Sequence, residues 1–263
     1  MNARDFEPAL TATTEELPGG FTLHHVETIG STNDEAVRLA AKGAPAGTVV
    51  LADRQTEGRG RLGRVWQSVP GNLHASILLR PDCALKAASQ LSLLAGVALA
   101  ELLARHGPDN LDLKLKWPND VMIDRAKVAG ILLESAGDNA GRLAHVIVGV
   151  GVNVAWSPDD LDYPVTSLEA AGFTALSPKG WLLAYTSSLA IWLDRWQRDG
   201  FAVVREAWCA RSYGLGGPVR LRLDREDVDG KFVDLTEAGA LLIEHADGSR
   251  RELTAGDVVY ADH

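Results

Sequence analysis

The chain has 263 residues, of which 46% are hydrophobic, and this length allows one sizeable domain with a packed core and a small additional one. A formal net charge of -9 argues against a surface that neutralises nucleic-acid phosphates. The two cysteines lack a C-x-x-C spacing, and the sequence shows neither a leader pattern nor about 18 consecutive uncharged apolar residues. We therefore expect a cytoplasmic protein that has no disulfide framework, crosses no membrane and does not bind DNA.

The first half of the chain contains alternating strand and helix patterns. Residues 21–29 predict a strand, and the triplet Ser31-Thr32-Asn33 followed by two acidic residues is typical of a helix N-terminus. Two hydroxyl groups are thereby placed at a junction between a strand and a helix that runs to residue 41. The next predicted elements are a buried strand at 48–52, a strand at 73–79 and a core-facing helix at 91–103.

The middle of the chain contains a strand that runs into a polar segment. Residues 111–117 alternate apolar side chains with Lys114 and Lys116, so both lysines should lie on one face of the strand. The segment Pro118-Asn119-Asp120 follows directly. Further predictions are a turn at Asp124-Arg125, strands at 128–133 and 145–154, and a long helix that ends at Gly200 and carries Trp181, Tyr185, Leu189, Trp192 and Trp196 on its core face.

The character of the sequence changes after Tyr213. Three glycines and a proline at 214–218 predict a hinge, and short strand and turn patterns follow. The pairs Asp229-Gly230 and Asp247-Gly248 are typical of hairpin turns. The sequence therefore predicts an N-terminal extension at 1–20, an α+β domain at 21–213 and a small β barrel at 214–263.

Residues 58–64, with the sequence GRGRLGR, combine three glycines with Arg59, Arg61 and Arg64. Arginine supplies a fixed charge and forked donors, and glycine allows tight turns that present backbone N–H groups, so the segment suits a phosphate or a carboxylate. The alternative is a solvated basic turn. The spacing matches neither a Walker loop nor the dinucleotide-binding fingerprint. An anion-binding loop is the functional hypothesis for this segment.

Three later segments also contain polar residues suited to chemistry. KWPND at 116–120 places acceptors and a candidate base just beyond the end of a strand, although an ordinary strand-ending turn would look the same. KVAGILLE at 127–134 places Lys127 at the mouth of an apolar strand, where a lysine can also extend its amine to solvent. GVGVNV at 149–154 places Asn153 in a β-branched run, where its amide needs either backbone partners or a ligand heterocycle.

These four segments, with Ser31-Thr32-Asn33 ahead of them, resemble in content and order the signature segments of biotin protein ligases. The resemblance extends from about Glu27 to Asp262, and the coincidence of the segments is more specific than any one of them. It implies an α+β catalytic domain related to class II aminoacyl-tRNA synthetases, followed by an SH3-like β barrel. It also implies an enzyme that joins biotin to ATP as biotinyl-5′-AMP and then transfers biotin to a lysine of a biotin carboxyl carrier protein.

The resemblance further implies roles for individual residues. Hydroxyl and amide groups would hold the ureido ring of biotin, arginines would hold its carboxylate and the phosphate, Trp66 would stack on the ligand, and Gly130 would leave room for it. The implied substrate-binding residues are Ser31, Thr32, Asn33, Gln55, Gly58, Arg59, Arg61, Trp66, Lys127 and Gly130. The implied nucleotide-binding residues are Arg59, Arg61, Arg64, Asn119 and Asn153, with Asn153 against adenine. The implied catalytic residues are Arg61, Lys127 and Asp120.

The implied chemistry requires positive charge. The carboxylate of biotin and the α-phosphate of ATP are both anions, so their approach must be offset by cations such as Arg59, Arg61, Lys127 and Mg²⁺. Asp120 is a candidate to assist deprotonation of the carrier lysine in the second step. We therefore expect ATP and Mg²⁺ as cofactors, a shared cavity for these cations, and closure of the arginine loop over the adenylate.

Two other functions remain open from the sequence. A lipoate protein ligase would adenylate a different short carboxylic acid, although GRGRLGR and KWPND favour biotin. A non-catalytic biotin- or adenylate-binding protein would not need Arg59, Arg61, Lys127 and Asp120 together. About twenty residues precede the first strand predicted here, too few for the helix-turn-helix that some ligases of this family carry, so we expect no operator binding. A homodimer is compatible with the sequence but not required by it.

Overall fold

The computed structural model describes residues 14–174, 176–223 and 226–260 and contains two β-sheets, with helices packed on the larger one. Residues 1–13 of the predicted N-terminal extension and 261–263 of the predicted barrel lie outside the described residues. The strands and helices, in chain order, are β1 (Thr14–Leu17), β2 (Phe21–Ile29), α1 (Thr32–Ala41), β3 (Thr48–Gln55), β4 (Leu73–Leu79), α2 (Ala88–His106), β5 (Leu113–Lys116), β6 (Asp120–Ile123), β7 (Ala126–Gly137), β8 (Leu143–Val152), α3 (Pro178–Asp199), α4 (Phe201–Ala210), β9 (Pro218–Arg222), β10 (Asp227–Leu235), β11 (Leu241–Glu244), β12 (Arg250–Leu253) and β13 (Asp257–Tyr260).

Eight strands form the larger sheet, in the order β1-β2-β3-β4-β8-β7-β6-β5. β2 and β3 are parallel, and every other neighbouring pair in this sheet is antiparallel. A parallel pair needs a crossover connection, which α1 supplies between β2 and β3. Ala36 and Ala40 of α1 pack against Val50, Leu78 and Ile147. α1 therefore covers one face of the sheet, and its N-terminal polar residues lie at the carboxyl end of β2.

α2 and α3 cover the opposite face of the larger sheet, where Val49 and Leu51 belong to the main hydrophobic core. Tyr185 and Trp192 of α3 are buried, as the apolar periodicity predicted. The indole of Trp192 donates a hydrogen bond of 2.5 Å to the Glu101 carboxylate of α2, so the polar edge of a core aromatic residue has a partner. The predicted core face of this helix is confirmed.

The segment Leu85–His106, which includes α2, is by length and composition long and apolar enough to cross a membrane. In the structure, 67% of its most apolar window is buried inside the protein. Leu94, Ala98 and Leu103 on this segment are fully buried. A long apolar helix that is mostly enclosed by its own protein is typical of a core helix, which agrees with the core-facing helix predicted at 91–103.

Several elements differ from the sequence-based prediction. β3 continues to Gln55 instead of ending at residue 52, so Gln55 lies at a strand end and not in the glycine-rich loop. β1, β6 and α4 were not predicted, and β1 pairs with β2 within the segment assigned to an extension. A four-residue strand carries too little periodic pattern to be recognised. α4 begins directly after Gly200, where the glycine signal predicted only the end of α3.

The C-terminal sheet has five strands in the order β12-β11-β10-β9-β13, all paired antiparallel. The turn predicted at Asp247-Gly248 is confirmed between β11 and β12. The turn predicted at Asp229-Gly230 is wrong, because both residues lie inside β10. A Cβ atom on Gly230 would lie 3.0 Å from the carbonyl oxygen of Glu244, so this glycine serves a close strand approach instead of a turn.

Hydrogen bonds connect the domain of the larger sheet to the C-terminal domain. The indole of Trp117 donates to the carbonyl of Gly239 at 3.2 Å, and the Gln90 amide donates to the carbonyl of Glu237 at 2.8 Å. Both acceptors precede β11, and both donors belong to the helix and strand end beneath the larger sheet. The C-terminal sheet therefore lies next to the segment at 116–120, in which the sequence predicted functional residues.

Candidate active site

A cavity of about 1070 Å³ lies over the central strands of the larger sheet and extends to the C-terminal sheet. Basic residues outnumber acidic residues in its lining by seven to four, although the whole chain has a net charge of -9. The cavity is thus a positively charged site on an acidic protein, which suits an anionic ligand. Of the predicted site residues, its lining includes Ser31, Thr32, Asn33, Gln55, Arg59, Arg61, Arg64, Trp66, Asn119, Asp120, Lys127 and Gly130.

One end of the cavity is built from uncharged polar groups at the junction of β2 and α1. Ser31 caps α1, and its hydroxyl oxygen accepts from the backbone N–H of Asp34 at 3.4 Å. The side-chain carbonyl of Gln55 accepts from the backbone N–H of Thr32 at 2.8 Å and lies 3.0 Å from its hydroxyl. The sequence grouped these residues only through the resemblance, and the parallel pairing of β2 with β3 brings Gln55 beside α1.

Asn33 closes the floor of this polar end. Its side-chain oxygen accepts from the Ser76 hydroxyl of β4 at 2.5 Å, and it is buried. A Cβ atom on Gly149 would lie 2.3 Å from that oxygen, so the glycine of β8 provides the space that Asn33 occupies. A side chain of the protein therefore approaches β8 closely at this glycine.

The arginine loop at 58–66 folds back on itself as a compact hairpin. The N–H of Gly60 donates to the carbonyl of Arg64 at 2.7 Å, and the N–H of Trp66 donates to the carbonyl of Gly58 at 3.0 Å. Leu62 at its tip has a left-handed φ of 55°. These backbone bonds fix the loop that carries Arg59, Arg61 and Arg64, and all three side chains line the cavity.

Arg59 does not present a free cation to the cavity. Its guanidinium forms two hydrogen bonds of 2.6 Å with the Asp34 carboxylate and lies 3.3 Å from that of Glu134. These partners raise the pKa of Arg59, and the guanidinium lowers the pKa of Asp34. In this state Arg59 attaches the loop to α1 and β7, so its predicted contact with phosphate and carboxylate requires exchange of partners.

Arg61 and Arg64 connect the loop to the C-terminal sheet. The guanidinium of Arg61 donates to the carbonyl of Gly256 at 3.4 Å and approaches the Asn119 side-chain oxygen at 3.5 Å. Arg64 forms an ion pair with Asp257. Burial lowers the pKa of Arg61, opposed by the negative charges of Asp257 and Asp120. Arg61 is therefore a partly desolvated cation, in which state its field on a bound anion is strong.

Lys127 and Asp120 form an ion pair at the centre of the lining. The Lys127 ammonium lies 2.7 Å from the Asp120 carboxylate, and the side chains are 17% and 20% exposed. The ammonium is also 5.7 Å from the ring centre of Trp66 and 6.0 Å from that of Tyr163. In the antiparallel pair of β6 with β7, Asp120 lies opposite Gly130 and Lys127 lies opposite Met122, so the Lys127 side chain reaches Asp120 diagonally across the two strands.

Asn119 is fixed by β7. Its amide donates to the carbonyl of Ile131 at 2.6 Å, and its backbone carbonyl accepts from the N–H of Ile131 at 2.9 Å. The preceding Trp117–Pro118 peptide bond is cis. The KWPND segment thus holds Asn119 and Asp120 on the cavity wall between Arg61 and Lys127.

Lys116 is a lining residue that the site prediction missed. Burial is the main factor that lowers its pKa, with Lys127 contributing repulsion and Asp120 opposing it. The strict alternation of residues 111–117 predicted that Lys116 shares a face with Lys114. It did not predict that Lys116 lines the cavity and Lys114 does not. The lining contributions of Tyr163, Tyr213, Arg222 and Asp257 were missed as well, because distant segments supply them.

Two predicted site residues lie outside the cavity lining. Asn153 is buried, and its amide donates to the backbone carbonyl of Thr166 at 3.1 Å, so the predicted contact with adenine has no support in the structure. A backbone partner satisfies this amide, which was the alternative noted from the sequence. Gly58 is also outside the lining, and a Cβ atom there would lie 2.5 Å from the carbonyl oxygen of Trp66.

The carboxylates around the cavity are spread out. Among the residues that the structure describes, no three His, Cys, Asp or Glu side chains are grouped so as to hold a metal ion. Asp120 and Asp257 line the cavity, and each forms an ion pair with a basic residue. This donor set fits a Mg²⁺ ion that arrives mainly ligated by substrate phosphates and water better than one held by the protein alone.

An α+β domain with a cationic cavity over its sheet, completed by a small antiparallel domain, suits a protein that binds an anionic ligand. Two family models match this chain: the biotin/lipoate A/B protein ligase family over residues 26–153, and the biotin protein ligase C-terminal domain over residues 214–260. Both matched ranges contribute residues to the cavity.

Relatives cover most of the chain. The biotin–[acetyl-CoA-carboxylase] ligase of Paracoccus denitrificans is 38% identical and is matched over 88% of this chain and 97% of its own length. The ligase of the same description from Mycobacterium tuberculosis is 34% identical and is matched over 88% of this chain and 86% of its own length. A solved biotin protein ligase from Aquifex aeolicus in complex with biotin and ATP is 32% identical, with a TM-score of 0.74 over 90% of this chain and 97% of that one.

The chain belongs to the biotin protein ligase family. Its fold class is the one predicted: an α+β catalytic domain of the class II aminoacyl-tRNA synthetase type with a C-terminal SH3-like antiparallel domain. The exact boundaries at residues 20 and 213 stay predictions.

Proposed function

We propose that this protein is a biotin protein ligase that activates biotin with ATP and transfers the biotinyl group to a lysine of a biotin carboxyl carrier protein. The observation that carries the proposal is the shared cavity, in which Arg61, Lys127 and Lys116 line one end and the uncharged groups of Thr32 and Gln55 line the other. A molecule with a neutral polar head and an anionic tail matches this division of charge.

In the first step, a carboxylate oxygen of biotin attacks the α-phosphorus of ATP, and the bond to the departing pyrophosphate breaks. Two anions must approach each other, so cations that are already in place lower the barrier. Arg61 and Lys127 both line the cavity and supply such charge, and the partial burial of both makes that charge effective. Ser31, Thr32 and Gln55 would hold the ureido ring and fix the direction in which the carboxylate points.

In the second step, the neutral amine of the carrier lysine attacks the carbonyl of the mixed anhydride, an amide forms and AMP leaves. Asp120 is a carboxylate in the lining that could accept the amine's proton, and Asn119 beside it could orient the amine. The ion pair between Asp120 and Lys127 joins the residue proposed for the first step to the one proposed for the second. Departure of pyrophosphate would change the charge that both residues face.

ATP is the proposed nucleotide, and Mg²⁺ would enter with it. Bound Mg²⁺ supplies charge that stabilises the pyrophosphate leaving group. Asp120 and Asp257 are the lining carboxylates nearest to the basic residues, and they would face such an ion without forming a complete site. The expected cytoplasmic location, the absence of DNA and membrane partners, and a homodimer remain proposals that rest on charge and composition.

Pyrophosphate exchange tests the first step. Purified protein should catalyse incorporation of labelled pyrophosphate into ATP in the presence of biotin, and not in the presence of lipoate. Lys127→Gln, which removes the ammonium paired with Asp120, should lose exchange, and circular dichroism checks that this variant is still folded. Exchange that depends on lipoate alone would overturn the choice of substrate.

Mass spectrometry tests the second step. A carboxylase carrier domain incubated with the protein, biotin, ATP and Mg²⁺ should gain one biotinyl group, and the same domain with its acceptor lysine changed to arginine should gain none. Binding of biotin without labelling of the carrier in any condition would favour the non-catalytic binding protein instead.

A further inference from the structure

The indole of Trp66 occupies a slot in the larger sheet. His74 of β4 and Gly151 of β8 are directly opposite each other in the antiparallel pair. A Cβ atom on Gly151 would lie 2.5 Å from Cε2 of Trp66 and 2.6 Å from its Cζ2. The missing side chain therefore creates the slot, and the ring rests against the strand backbone while it also lines the cavity.

A hydrogen bond to His74 fixes the ring in this slot. The Trp66 indole N–H points to Nδ1 of His74 at 3.3 Å, and Nε2 of His74 lies 3.3 Å from the carbonyl oxygen of Val69. A carbonyl oxygen only accepts, so Nε2 carries the hydrogen and Nδ1 is the acceptor for the indole. Both ring nitrogens of this buried histidine are thus used, and its tautomer is determined by its partners.

Trp66 is also the end of the arginine loop. Its backbone N–H donates to the carbonyl of Gly58, which closes the hairpin that carries Arg59, Arg61 and Arg64. A residue that fixes the indole therefore fixes one end of the loop relative to the sheet. The cation of Lys127 faces the same ring.

We propose that His74 is a positioning residue of this ligase: it holds Trp66 in the slot above Gly151 and so sets both the ring surface that the adenylate meets and the anchoring of the arginine loop. The proposal rests on the proposed function for its consequence in the reaction. The contact between the two side chains can be tested without it.

The surroundings of His74 make it more than a space-filling group. β8 contributes a glycine opposite it, and β3 contributes Asp53, whose negative charge opposes the lowering of the His74 pKa by burial and whose carboxylate is paired with His25 at 2.8 Å. The ammonium of Lys127, which is paired with Asp120, lies 5.7 Å from the centre of the Trp66 ring. An apolar residue would fill the same volume, but it would leave the indole N–H without an acceptor at a partly buried position.

Three variants separate the hydrogen bond from the packing. His74→Asn places an amide oxygen near the position of Nδ1 and keeps the acceptor for Trp66. His74→Gln places its amide near Nε2 and keeps the bond to Val69 without that acceptor. His74→Phe fills the volume and offers neither group. We therefore expect the effects of the three variants to depend on whether an acceptor for the Trp66 indole is kept, and not on the size of the side chain.

The first readout is release of the adenylate in a single-turnover assay. Loss of one buried hydrogen bond should increase the release rate by about three- to tenfold in His74→Gln and His74→Phe, and by less than about twofold in His74→Asn. His74→Phe combined with Trp66→Phe should leak no faster than Trp66→Phe alone, because both changes remove the same bond. Additive effects, or equal leakage from the Asn and Gln variants, would overturn the proposal.

The second readout does not depend on activity. The indole N–H resonance of Trp66, assigned by its loss in Trp66→Phe, should exchange slowly with solvent in the unchanged protein and in His74→Asn, and faster in His74→Gln. Equal rates of solvent exchange in the unchanged protein, His74→Asn and His74→Gln would refute the contact. This test does not require His74→Phe to fold. If the protein shows this contact but catalyses no biotin-dependent pyrophosphate exchange, the proposed function is wrong and the contact between His74 and Trp66 still stands.

Discussion

Lys127 and Asp120 show how a single pair of side chains defines the candidate site. Each residue is mostly buried, and each has the other as an oppositely charged neighbour at 2.7 Å. Taking charges out of water is costly unless they are paired, so this arrangement keeps a cation and a carboxylate in a place where neither would be stable alone. The same pairing leaves both charges available to reactants that enter the cavity.

Replacement of Lys127 should reduce catalysis and should also lower the free energy of unfolding, because it leaves the Asp120 carboxylate without its paired cation. We expect Lys127→Gln to reduce biotin-dependent pyrophosphate exchange by about 10²- to 10³-fold, because one preorganised cation next to the reacting anions is removed. Lys114→Gln is the matched control, since Lys114 is 38% exposed and lies 3.6 Å from Asp112, outside the cavity lining. Exchange within about threefold of the unchanged protein in Lys127→Gln would contradict the role assigned to this residue.

His74 should make the stability of the protein depend on pH. Burial lowers its pKa below the usual value of 6.5, so the unfolded chain binds the proton more strongly than the folded one. The free energy of unfolding should therefore fall as the pH drops from about 6.5 through the lowered pKa, and then level off.

The comparison with His74→Asn isolates this contribution. Urea unfolding at a series of pH values between about 4.5 and 8 should show a steeper decline in the unchanged protein than in the variant, because asparagine does not titrate. His25, His145 and Asp53 are present in both proteins and cancel in the difference. Parallel curves would mean that His74 is protonated as easily in the folded protein as in the unfolded chain.

At the scale of elements, β8 determines the shape of the cavity floor. Gly149 leaves space for Asn33, and Gly151 leaves space for Trp66, so two side chains from distant segments rest on one strand. β8 is also the strand that joins β4 to β7 in the sheet. The glycines in GVGVNV therefore give space to protein side chains that approach the strand.

Glycine-to-alanine changes in two elements should affect different properties of the protein. Gly151→Ala would put a methyl group 2.5 Å from the Trp66 ring, so the ring must leave the slot and adenylate release should increase. Gly96→Ala in α2 meets only Leu115 at 3.5 Å and should increase stability by up to about 1 kcal/mol through helix propensity.

Thermal unfolding and single-turnover release of the adenylate measure the two effects. Circular dichroism should show an unchanged content of strand in Gly151→Ala, because its effect is confined to a side-chain contact. Adenylate release that is equal in the two alanine variants would show that the position of the Trp66 ring is not set by Gly151.

At the scale of the whole molecule, the arginine loop bridges the two sheets. Arg59 is bound to Asp34 of α1 and Glu134 of β7, whereas Arg64 is bound to Asp257 of β13. Carboxylates of both domains thus hold the same loop. The C-terminal sheet also adds Arg222 and Asp257 to the cavity lining, so the site is complete only when both domains are in place.

Removal of the link to the C-terminal sheet should loosen the loop to a limited extent. We expect Asp257→Asn to increase adenylate release by up to about fivefold, since the ion pair with Arg64 is partly exposed and such pairs contribute at most about 1 kcal/mol. The effect should shrink at high salt, because exposed charges are screened.

Glu226→Gln serves as the control, because Glu226 pairs with Arg251 on the same sheet and does not line the cavity. Release of the adenylate at low and high ionic strength is the measurement. An increase in Asp257→Asn that is independent of salt would point to a lost hydrogen bond in place of a lost charge.

The sequence by itself determined the local features of this protein. The helix start at Ser31, the core face of α3 and the turn at Asp247-Gly248 follow from side-chain chemistry within a few residues of each position. The four motif segments, through the resemblance they carry, were enough to indicate the family and twelve of the residues that line the cavity. Asp229-Gly230 shows the limit, because the same pair is compatible with a turn or with a close strand approach, and only the neighbouring strand decides between them.

Only the tertiary structure decided which charges face one another. The pairing of Arg59 with Asp34 and Glu134, the burial of Asn153 away from the cavity, and the place of Lys116 and Asp257 in the lining all depend on segments far apart in the chain. The physical reason is that burial and electrostatic interaction act through space. A sequence pattern reports what a side chain can do, whereas the fold sets the distance and exposure that determine what it does.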